Sequence, residues 1–341
     1  MQSYQLETTQ TLQYHLADHY QIYQRVDLQN GDSHWQSMES PQPVTPLQKL
    51  PISSPKQFFF SERENLFSFD GECFRETVPE PEPFVLFGVQ SCDLTAIAYQ
   101  DQFFAEDPYY QARRKQALLV GFDCLTPCEY GFCHTVNAGP GVNPDCADII
   151  LHRQPGGDWL VLVSSLKGKQ ALRGLNLPAA DSQALVGRDQ QVKNCIEQFE
   201  QDPSLAQGID QLSNETIDND FWQQLGLQCL SCSGCTTLCP TCSCYGTRDF
   251  VDDTGQHQER FWDSCLYESF QREASQHNPS EEAGARLKRF WTHKFSQQTV
   301  KAFGRHGCVG CGRCEQTCPG VVGVHSTMKR IVAYQAESAP C

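Results

Sequence analysis

One cysteine pattern, C-x2-C-x2-C-x3-C-P, occurs twice in the C-terminal third of the chain, as "CLSCSGCTTLCP" and "CVGCGRCEQTCP". The three closely spaced thiolates can each reach a different iron of one cubane, whereas the fourth, followed by proline, is turned away. This spacing is typical of bacterial ferredoxins and predicts [4Fe-4S] clusters rather than a site for one metal ion. The cysteines are Cys229, Cys232, Cys235 and Cys239 in the first copy, and Cys308, Cys311, Cys314 and Cys318 in the second.

In ferredoxins with two clusters, the fourth cysteine of each copy ligates the cluster held by the other copy. We therefore expect Cys318 to complete the cluster of the first copy and Cys239 to complete that of the second. The expected ligand sets are Cys229, Cys232, Cys235 and Cys318 for the first cluster, and Cys308, Cys311, Cys314 and Cys239 for the second.

The alternatives for a chain with 19 cysteines are zinc sites and disulfide bonds. Zinc also accepts four thiolates, but zinc modules usually separate paired C-x2-C units by a longer loop. Disulfides are rare in reducing compartments, and the first residues, "MQSYQLETTQTLQYHL", contain neither the basic nor the apolar region of a secretory signal. We therefore expect a cytoplasmic protein whose cysteines bind iron-sulfur clusters.

The charge and hydropathy of the chain exclude two classes of partner. The net charge is -15, with 26 basic and 41 acidic residues, whereas nucleic-acid binding needs basic side chains that displace counterions from phosphates. No stretch approaches the roughly 20 apolar residues of a membrane span. We expect neither nucleic acid nor a membrane span, and an acidic surface would suit a basic protein partner.

The N-terminal half contains an α/β pattern. The apolar runs 84–89 ("FVLFGV") and 117–122 ("ALLVGF") predict buried strands, and the helical pattern between them predicts a crossover that makes the two strands parallel. Residues 148–163 predict a β-hairpin with a Pro-Gly-Gly turn. The predicted fold is therefore an α/β domain with a partly parallel sheet, followed by an α+β ferredoxin-like domain with two clusters.

These patterns predict three regions. Residues 1–50 are polar and proline-punctuated, so we expect an irregular N-terminal segment. The α/β domain should cover 51–205, and the two-cluster domain should cover 206–341. Because two amphipathic helical patterns lie between the cysteine motifs, we expect a helical insertion over 245–303.

A third cluster site is predicted in the α/β domain. Three cysteines lie in one ten-residue stretch of a glycine-rich loop, and Cys92 follows the neighbouring strand. All four should therefore meet at the carboxyl edge of the sheet, where α/β sheets place their sites. The alternative is a set of structural cysteines packed in the loop. Asp93 is a conceivable oxygen ligand and Cys146 a spare thiol. The predicted ligands are Cys92, Cys124, Cys128 and Cys133.

The remaining cysteines are interpreted as packed thiols. Cys242, Cys244 and Cys265 lie near the first motif and are either spare ligands or buried side chains; the second interpretation is favoured because cysteine packs as a small hydrophobe. Cys73, Cys195 and Cys341 are isolated in the sequence, and we expect none of them to be a ligand.

An ordered series of motifs from about residue 55 onward resembles the iron-sulfur beta subunits of cytoplasmic sulfhydrogenases and the related A subunits of anaerobic sulfite reductases. One departure concerns the third site: the family often has Cys-Phe-Cys where this chain has Gly131-Phe132-Cys133, so Cys128 is a candidate replacement ligand. The motifs include "PKQFFFSERENLF", "FGVQSCDLTAIAYQDQFF", "DPYYQARRKQ", "CPTCSCY", "RFWDSC", "RLKRFWTHKF" and "GCVGCGRCEQTCP".

The resemblance implies an electron-relay subunit without substrate chemistry of its own. It implies two partners: a flavin-bearing subunit that oxidises NAD(P)H and carries FAD, and a catalytic module that is a nickel-iron hydrogenase or a siroheme reductase. The alternative function is a self-contained iron-sulfur reductase that binds a flavin or a small substrate in its N-terminal domain. A zinc-stabilised scaffold is a third possibility, which the acidic charge and the cysteine spacing oppose.

Overall fold

The computed structural model describes residues 2–27, 33–44, 50–200, 202–214 and 217–338. The chain forms two compact units, and each contains separate stretches of the sequence. The first unit comprises Met1–Pro55, Pro79–Glu200 and Val309–Cys311, and the second comprises Lys56–Val78, Gln201–Cys308 and Gly312–Cys341.

The secondary structure within these ranges is as follows. The strands are β1 (Gln2–Leu6), β2 (Gln21–Asp27), β3 (Ser33–Met38), β4 (Arg63–Phe69), β5 (Phe74–Glu76), β6 (Phe84–Gln90), β7 (Ala117–Phe122), β8 (Ile149–Arg153), β9 (Trp159–Val163), β10 (Tyr245–Asp252) and β11 (Gly255–Trp262). The α-helices are α1 (Thr9–Ala17), α2 (Ser91–Phe103), α3 (Pro108–Gln116), α4 (Leu166–Ala171), α5 (Ser182–Glu197), α6 (Pro203–Ser213), α7 (Asn219–Gly226), α8 (Gly234–Thr237), α9 (Ala283–Phe295), α10 (Gln297–Phe303), α11 (Arg313–Gln316) and α12 (Val324–Ser338).

The first unit is built on a mixed sheet with the strand order β1-β9-β8-β7-β6-β2-β3. The four central strands, β8, β7, β6 and β2, are parallel to one another, and the outer pairs are antiparallel. The predicted strands, the parallel pairing of β6 with β7 and the β8-β9 hairpin are confirmed. The partly parallel sheet follows from the continuous apolar runs of β6 and β7, which are buried along their whole length.

The core of this unit lies on the sheet, where Val85, Phe87, Leu118 and Val120 are fully buried. Leu12 and Leu16 of α1 also belong to this core, so the N-terminal residues are structural. The prediction that 1–50 is irregular is therefore wrong for the described part of that segment, which supplies β1, α1, β2 and β3. β1 and β3 are rich in polar residues because they lie at the two edges of the sheet.

The second unit contains an antiparallel sheet with the strand order β10-β11-β4-β5, and helices that pack in pairs, α6 with α12 and α7 with α9. Residues Lys56–Val78, expected in the α/β domain, belong to this unit because β4 pairs with β11. The other boundary lies between Glu200 and Gln201, a few residues before the predicted one.

The segment between the two cysteine motifs is not wholly helical. It begins with the β10-β11 hairpin. The stretch "RFWDSCLYESFQREA", the first of the two amphipathic helical patterns, contains the end of β11 and a short 3-10 turn over Glu268–Gln271. Helices follow only at α9 and α10. The strand is favoured there because β11 pairs with β4 from Gln256 to Phe261, and the buried Arg260 forms an ion pair with Glu64. This long-range pairing outweighs the local helical pattern.

Candidate metal centres

The four cysteines of the first predicted set line one cavity in the second unit. Cys229, Cys232 and Cys235 come from the loop before α8 and from α8 itself, and Cys318 comes from the turn after α11. Apolar side chains of Leu266, Leu287, Phe290 and Val322 form much of the remaining wall. Four thiols in an apolar setting match the donor set of a [4Fe-4S] cluster.

Close backbone packing brings Cys318 to the first motif. A Cβ on Gly234 would stand 3.2 Å from the Thr317 hydroxyl oxygen, and one on Gly320 would collide with the carbonyl oxygen of Gln228. The residues that flank Cys318 therefore lie against the loop that holds Cys229. The Sγ atom of Cys318 also accepts a hydrogen bond of 3.3 Å from the Val322 amide.

The thiols of this set influence one another. Burial raises the pKa of Cys235 to about 12, and the neighbouring sulfurs of Cys318 and Cys229 add to the shift. Crowded buried thiols resist ionisation because several negative charges would share a small apolar space. A bound cationic iron core removes that penalty, since thiolates are the ligating form.

The two motifs share one backbone conformation. Ser231 and Ser233 have positive φ angles of 51° and 64°, and the residues at the same offsets in the second copy, Gly310 and Gly312, have φ angles of 66° and 76°. Ser233 and Gly312 each precede a one-turn helix, α8 or α11. Left-handed residues at these positions turn successive amides toward one side, which suits hydrogen bonding to cluster sulfides.

Cys239, the fourth cysteine of the first copy, is directed toward the second motif. Its Sγ lies 3.3 Å from the hydroxyl oxygen of Thr241, and that hydroxyl donates a 2.6 Å hydrogen bond to the carbonyl of Gly307, the residue before Cys308. The second predicted set is divided between the two units, since Cys311 belongs to the first unit and the other three belong to the second. This set stays a prediction from the motif.

Two buried lysines surround Cys239. Lys294 is 3% exposed and donates a 2.9 Å hydrogen bond to the hydroxyl of Thr241, and Lys56 is 4% exposed, with its ammonium 4.1 Å from the centre of the Trp262 ring. A hydrogen bond with Cys242 lowers the pKa of Cys239 well below its usual value, and the Lys294 and Lys56 ammonium groups act in the same direction. The site thus favours a thiolate at Cys239.

The three cysteines near the first motif are arranged as thiol partners. Cys242, which is buried, shares its hydrogen bond with Cys239, and Cys244 shares one with the buried Cys265. That second bond lowers the pKa of Cys244. The interpretation of these cysteines as packed thiols rather than ligands stays a prediction.

The first unit gathers a further group of thiols. Burial raises the pKa of Cys124, and the next contributions come from Cys128, Cys133 and Cys195. Cys133 has the same kind of neighbours, with Cys128 and Cys195 acting after burial. Three of the four cysteines predicted for a third site are therefore close to one another, and Cys195 is the fourth thiol among the neighbours. Cys195 is not predicted as a ligand from the sequence, because it is isolated there from the other cysteines.

The chain is similar to known iron-sulfur proteins. A family model described as a 4Fe-4S dicluster domain matches residues 228–322. The chain is 33% identical over 281 residues, 79% of each chain, to the protein named sulfhydrogenase 2 subunit beta from Pyrococcus furiosus. The chain belongs to the sulfhydrogenase beta subunit family. No solved structure matches it.

Family membership confirms the resemblance drawn from the motifs. Residues 228–322, which match the 4Fe-4S dicluster domain, contain all eight cysteines of the doubled motif and none of the cysteines before residue 200. An iron-sulfur electron-transfer subunit is therefore the function that the family and the dicluster domain support.

In the described ranges, no helix is long and apolar enough to cross a membrane. Within the same residues, no group of three or more His, Cys, Asp or Glu side chains is placed to hold a single metal ion.

Proposed function

We propose that this chain relays electrons between a flavin-bearing subunit that oxidises NAD(P)H, and carries FAD, and a catalytic module that is a nickel-iron hydrogenase or a sulfite or sulfur reductase. The observation that carries the proposal is the doubled motif, in which Cys318 lies with the cysteines of the other copy. Two sites that exchange ligands are held at a fixed spacing, which a relay requires. The relative from Pyrococcus furiosus is named as a subunit of a sulfhydrogenase, and this supports the partner class.

The residues of the chain would hold two [4Fe-4S] clusters. Cys229, Cys232, Cys235 and Cys318 would ligate the first, and Cys308, Cys311, Cys314 and Cys239 the second. When bound, each cluster accepts and passes on single electrons. The apolar wall around the first set would exclude water. Backbone amides near the cluster sulfurs, and the ammonium groups of Lys294 and Lys56 near Cys239, would set the reduction potentials of the clusters.

The acidic composition supports docking to basic partner surfaces. A net charge of -15 produces a negative potential that attracts and orients a complementary partner before contact. The cytoplasm is the proposed location, because the thiolates need a reducing compartment to stay available for iron.

The test is to purify the chain anaerobically with its native partners. For two clusters we expect about eight iron and eight acid-labile sulfide per chain, and for three about twelve of each. Copurification of a flavoprotein and of a hydrogenase or siroheme subunit, with NAD(P)H-dependent reduction of the clusters, would support the relay.

Two results would contradict the proposal. Zinc without acid-labile sulfide in the purified protein would mean that the cysteines hold structural zinc ions and not clusters. Stoichiometric flavin in the isolated chain, together with turnover in the absence of any partner, would indicate the self-contained reductase instead.

A further inference from the structure

The carboxylate of Glu315 holds the first turn of α12. Its Oε2 atom accepts a 2.9 Å hydrogen bond from the His325 amide and a 3.3 Å hydrogen bond from the Ser326 amide, and its Oε1 atom accepts one from the Ser326 hydroxyl. The first amides of a helix have no partner within the helix, and a carboxylate at this end satisfies them. Because Glu315 belongs to α11, its side chain ties α11 to the beginning of α12.

The turn that joins the two helices packs closely against α11. A Cβ on Gly323 would stand 2.6 Å from the Cα of Glu315 and 2.9 Å from the carbonyl oxygen of Cys314. The hydroxyl of Thr327 donates a 3.1 Å hydrogen bond to the carbonyl of Val322, and the Thr327 amide donates a 2.9 Å hydrogen bond to the carbonyl of Gly323. The turn is therefore held by α11 on one side and by the first turn of α12 on the other.

This turn places a backbone amide on the sulfur of Cys318. The Val322 amide donates a 3.3 Å hydrogen bond to the Sγ of Cys318, and Val322 is a buried residue of the cavity wall around the first predicted set. Cys318 is the thiol that the second motif supplies to that set, and Glu315 lies three residues before it in the sequence. One side chain thus holds the segment on which the geometry of this hydrogen bond depends.

We propose that Glu315 is a positioning residue that directs the Val322 amide at Cys318 and thereby raises the reduction potential of the first cluster. Hydrogen bonds to the sulfurs of an iron-sulfur cluster help to set its potential. A donor aimed at a ligand sulfur favours the reduced state, because reduction makes the sulfurs more negative and a hydrogen bond to a more negative acceptor is stronger. The inference rests on the proposed pair of [4Fe-4S] clusters and adds a residue that sets the potential of one of them.

The alternative role of Glu315 is that of a helix cap alone. In that case its only influence on the clusters would be its negative charge, and removal of the charge would raise their potentials, because a nearby negative charge opposes reduction. Loss of the directed amide would instead lower the potential of the first cluster. The two effects have opposite signs, so variants of Glu315 can separate them.

The decisive comparison is between Glu315→Gln and Glu315→Ala in the full chain, isolated anaerobically with its native partners. Both variants lack the charge, but glutamine still offers an oxygen to the two amides and an NH2 group to the Ser326 hydroxyl, whereas alanine offers neither. We expect the reduction equilibrium constant of the first cluster to be up to about tenfold lower in Glu315→Ala than in Glu315→Gln, which is about 59 mV for one electron. The second cluster should have the same potential in both variants. Redox titration followed by electron paramagnetic resonance measures both potentials, and the signal of the first cluster is the one that Cys229→Ala removes.

A spectroscopic readout and a matched control accompany this comparison. Pulsed electron paramagnetic resonance after exchange into D2O should detect one exchangeable proton fewer at the reduced first cluster in Glu315→Ala than in Glu315→Gln. The control residue is Asp202, whose carboxylate accepts a 3.0 Å hydrogen bond from the Ser204 amide at the beginning of α6, a helix without cysteines. Asp202→Asn and Asp202→Ala should give equal potentials for each cluster.

Three results would overturn the inference. They are equal potentials of the first cluster in Glu315→Gln and Glu315→Ala, the same exchangeable protons in both, or a difference between them that appears at the second cluster instead. If Glu315→Ala is unfolded or loses the first cluster, Ser326→Ala, which keeps the charge and removes the hydroxyl contact, replaces it. An unchanged potential of the first cluster in that folded variant then overturns the inference.

Failure of the proposed function would look different. If the unaltered protein contained no acid-labile sulfide, the proposed function and this inference would both be wrong. If both clusters were present and the Glu315 variants differed as expected, but NAD(P)H did not reduce the clusters through the flavin-bearing partner, the relay would be wrong and the positioning role of Glu315 would stand.

Discussion

At the scale of single residues, the placement of Cys318 decides how the doubled motif works. The first three cysteines of a motif lie within seven residues of one another. Which thiols the fourth cysteine joins depends on the packing of the turn that carries it. The packing of Gly234 on Thr317 and of Gly320 on Gln228 brings Cys318 to the first copy. A crossed ligand set makes each cluster depend on both copies, which predicts a distinctive pattern of losses in variants.

Cys318→Ala should remove the cluster held by Cys229, Cys232 and Cys235, because three thiolates leave one iron without its protein ligand. Iron content should fall by about four per chain. Adding Cys229→Ala should cause no further loss, whereas adding Cys308→Ala should remove a second cluster. The opposite pattern, in which Cys308→Ala adds nothing and Cys229→Ala does, would show that the fourth ligands are not exchanged.

Lys294→Met should lower the reduction potential of the cluster that Cys239 ligates. The ammonium of Lys294 is buried and bonded to Thr241, beside Cys239, and a nearby positive charge favours the more negative, reduced state. For one charge at several ångströms the effect is roughly 50 to 100 mV. Redox titration followed by electron paramagnetic resonance measures it.

The matched control for this experiment is Lys288→Met on the same helix. Lys288 lies at the surface, where its ammonium donates to the Asn219 side chain at 2.9 Å, so its removal should leave both potentials unchanged. An equal shift in the two variants would mean that net charge, not the buried position of Lys294, determines the potential.

At the scale of elements, close helix packing supports the wall of the first cavity. Helix α9 supplies Leu287 and Phe290 to that wall, and α9 packs on α7. The two helices cross at glycines, since a Cβ on Gly284 would stand 2.5 Å from the carbonyl oxygen of Trp222, and one on Gly226 would stand 2.5 Å from the amide nitrogen of Gly284. No larger residue fits without moving α9 and the cavity wall.

Gly284→Ala should therefore destabilise the protein by roughly 1 to 3 kcal/mol, the usual cost of overpacking. The anaerobic thermal midpoint of the holoprotein measures this loss. Gly187→Ala is the control: Gly187 lies within α5 with no atom near its Cβ position, so alanine should stabilise it by roughly 0.5 to 1 kcal/mol. Equal midpoints for the two variants would exclude a tight crossing of α7 and α9.

At the scale of the whole molecule, two features matter most: the acidic charge of the chain and the assembly of each unit from separate stretches of sequence. The chain is acidic, with 41 acidic and 26 basic residues. Both units are assembled from separated stretches, so that Lys56–Val78 and Val309–Cys311 each belong to the unit opposite to that of their neighbours in sequence. The two units are thus connected by several passages of the chain rather than by one linker.

Electron transfer from the flavin-bearing partner should slow as salt rises. When the salt concentration rises from about 50 to about 500 mM, the Debye length falls to below about 5 Å. This removes the long-range attraction between the acidic chain and a basic surface of the partner. Stopped-flow reduction of the clusters should become several-fold slower, while reduction by a small neutral reductant should not change. An unchanged rate with the partner would rule out electrostatic steering.

The patterns that could be predicted from sequence are local ones. Periodicity located β6, β7 and the β8-β9 hairpin, because a strand buried on both faces must be apolar throughout. It failed for the described part of residues 1–50 and for β11, where β1 and β11 pair with strands distant in sequence. A polar edge strand carries a weak signal of its own.

The sequence by itself determined the chemistry of the dicluster domain, since the distance between ligands in a cubane is encoded by residue spacing within one short loop. Only the tertiary structure brought Cys195 to the loop of Cys124, and only it surrounded Cys239 with Lys294 and Lys56. These residues are separated by tens to hundreds of positions, and their proximity depends on which helix faces pack together. Spacing defines a site within a loop, whereas packing decides what a distant side chain adds to it.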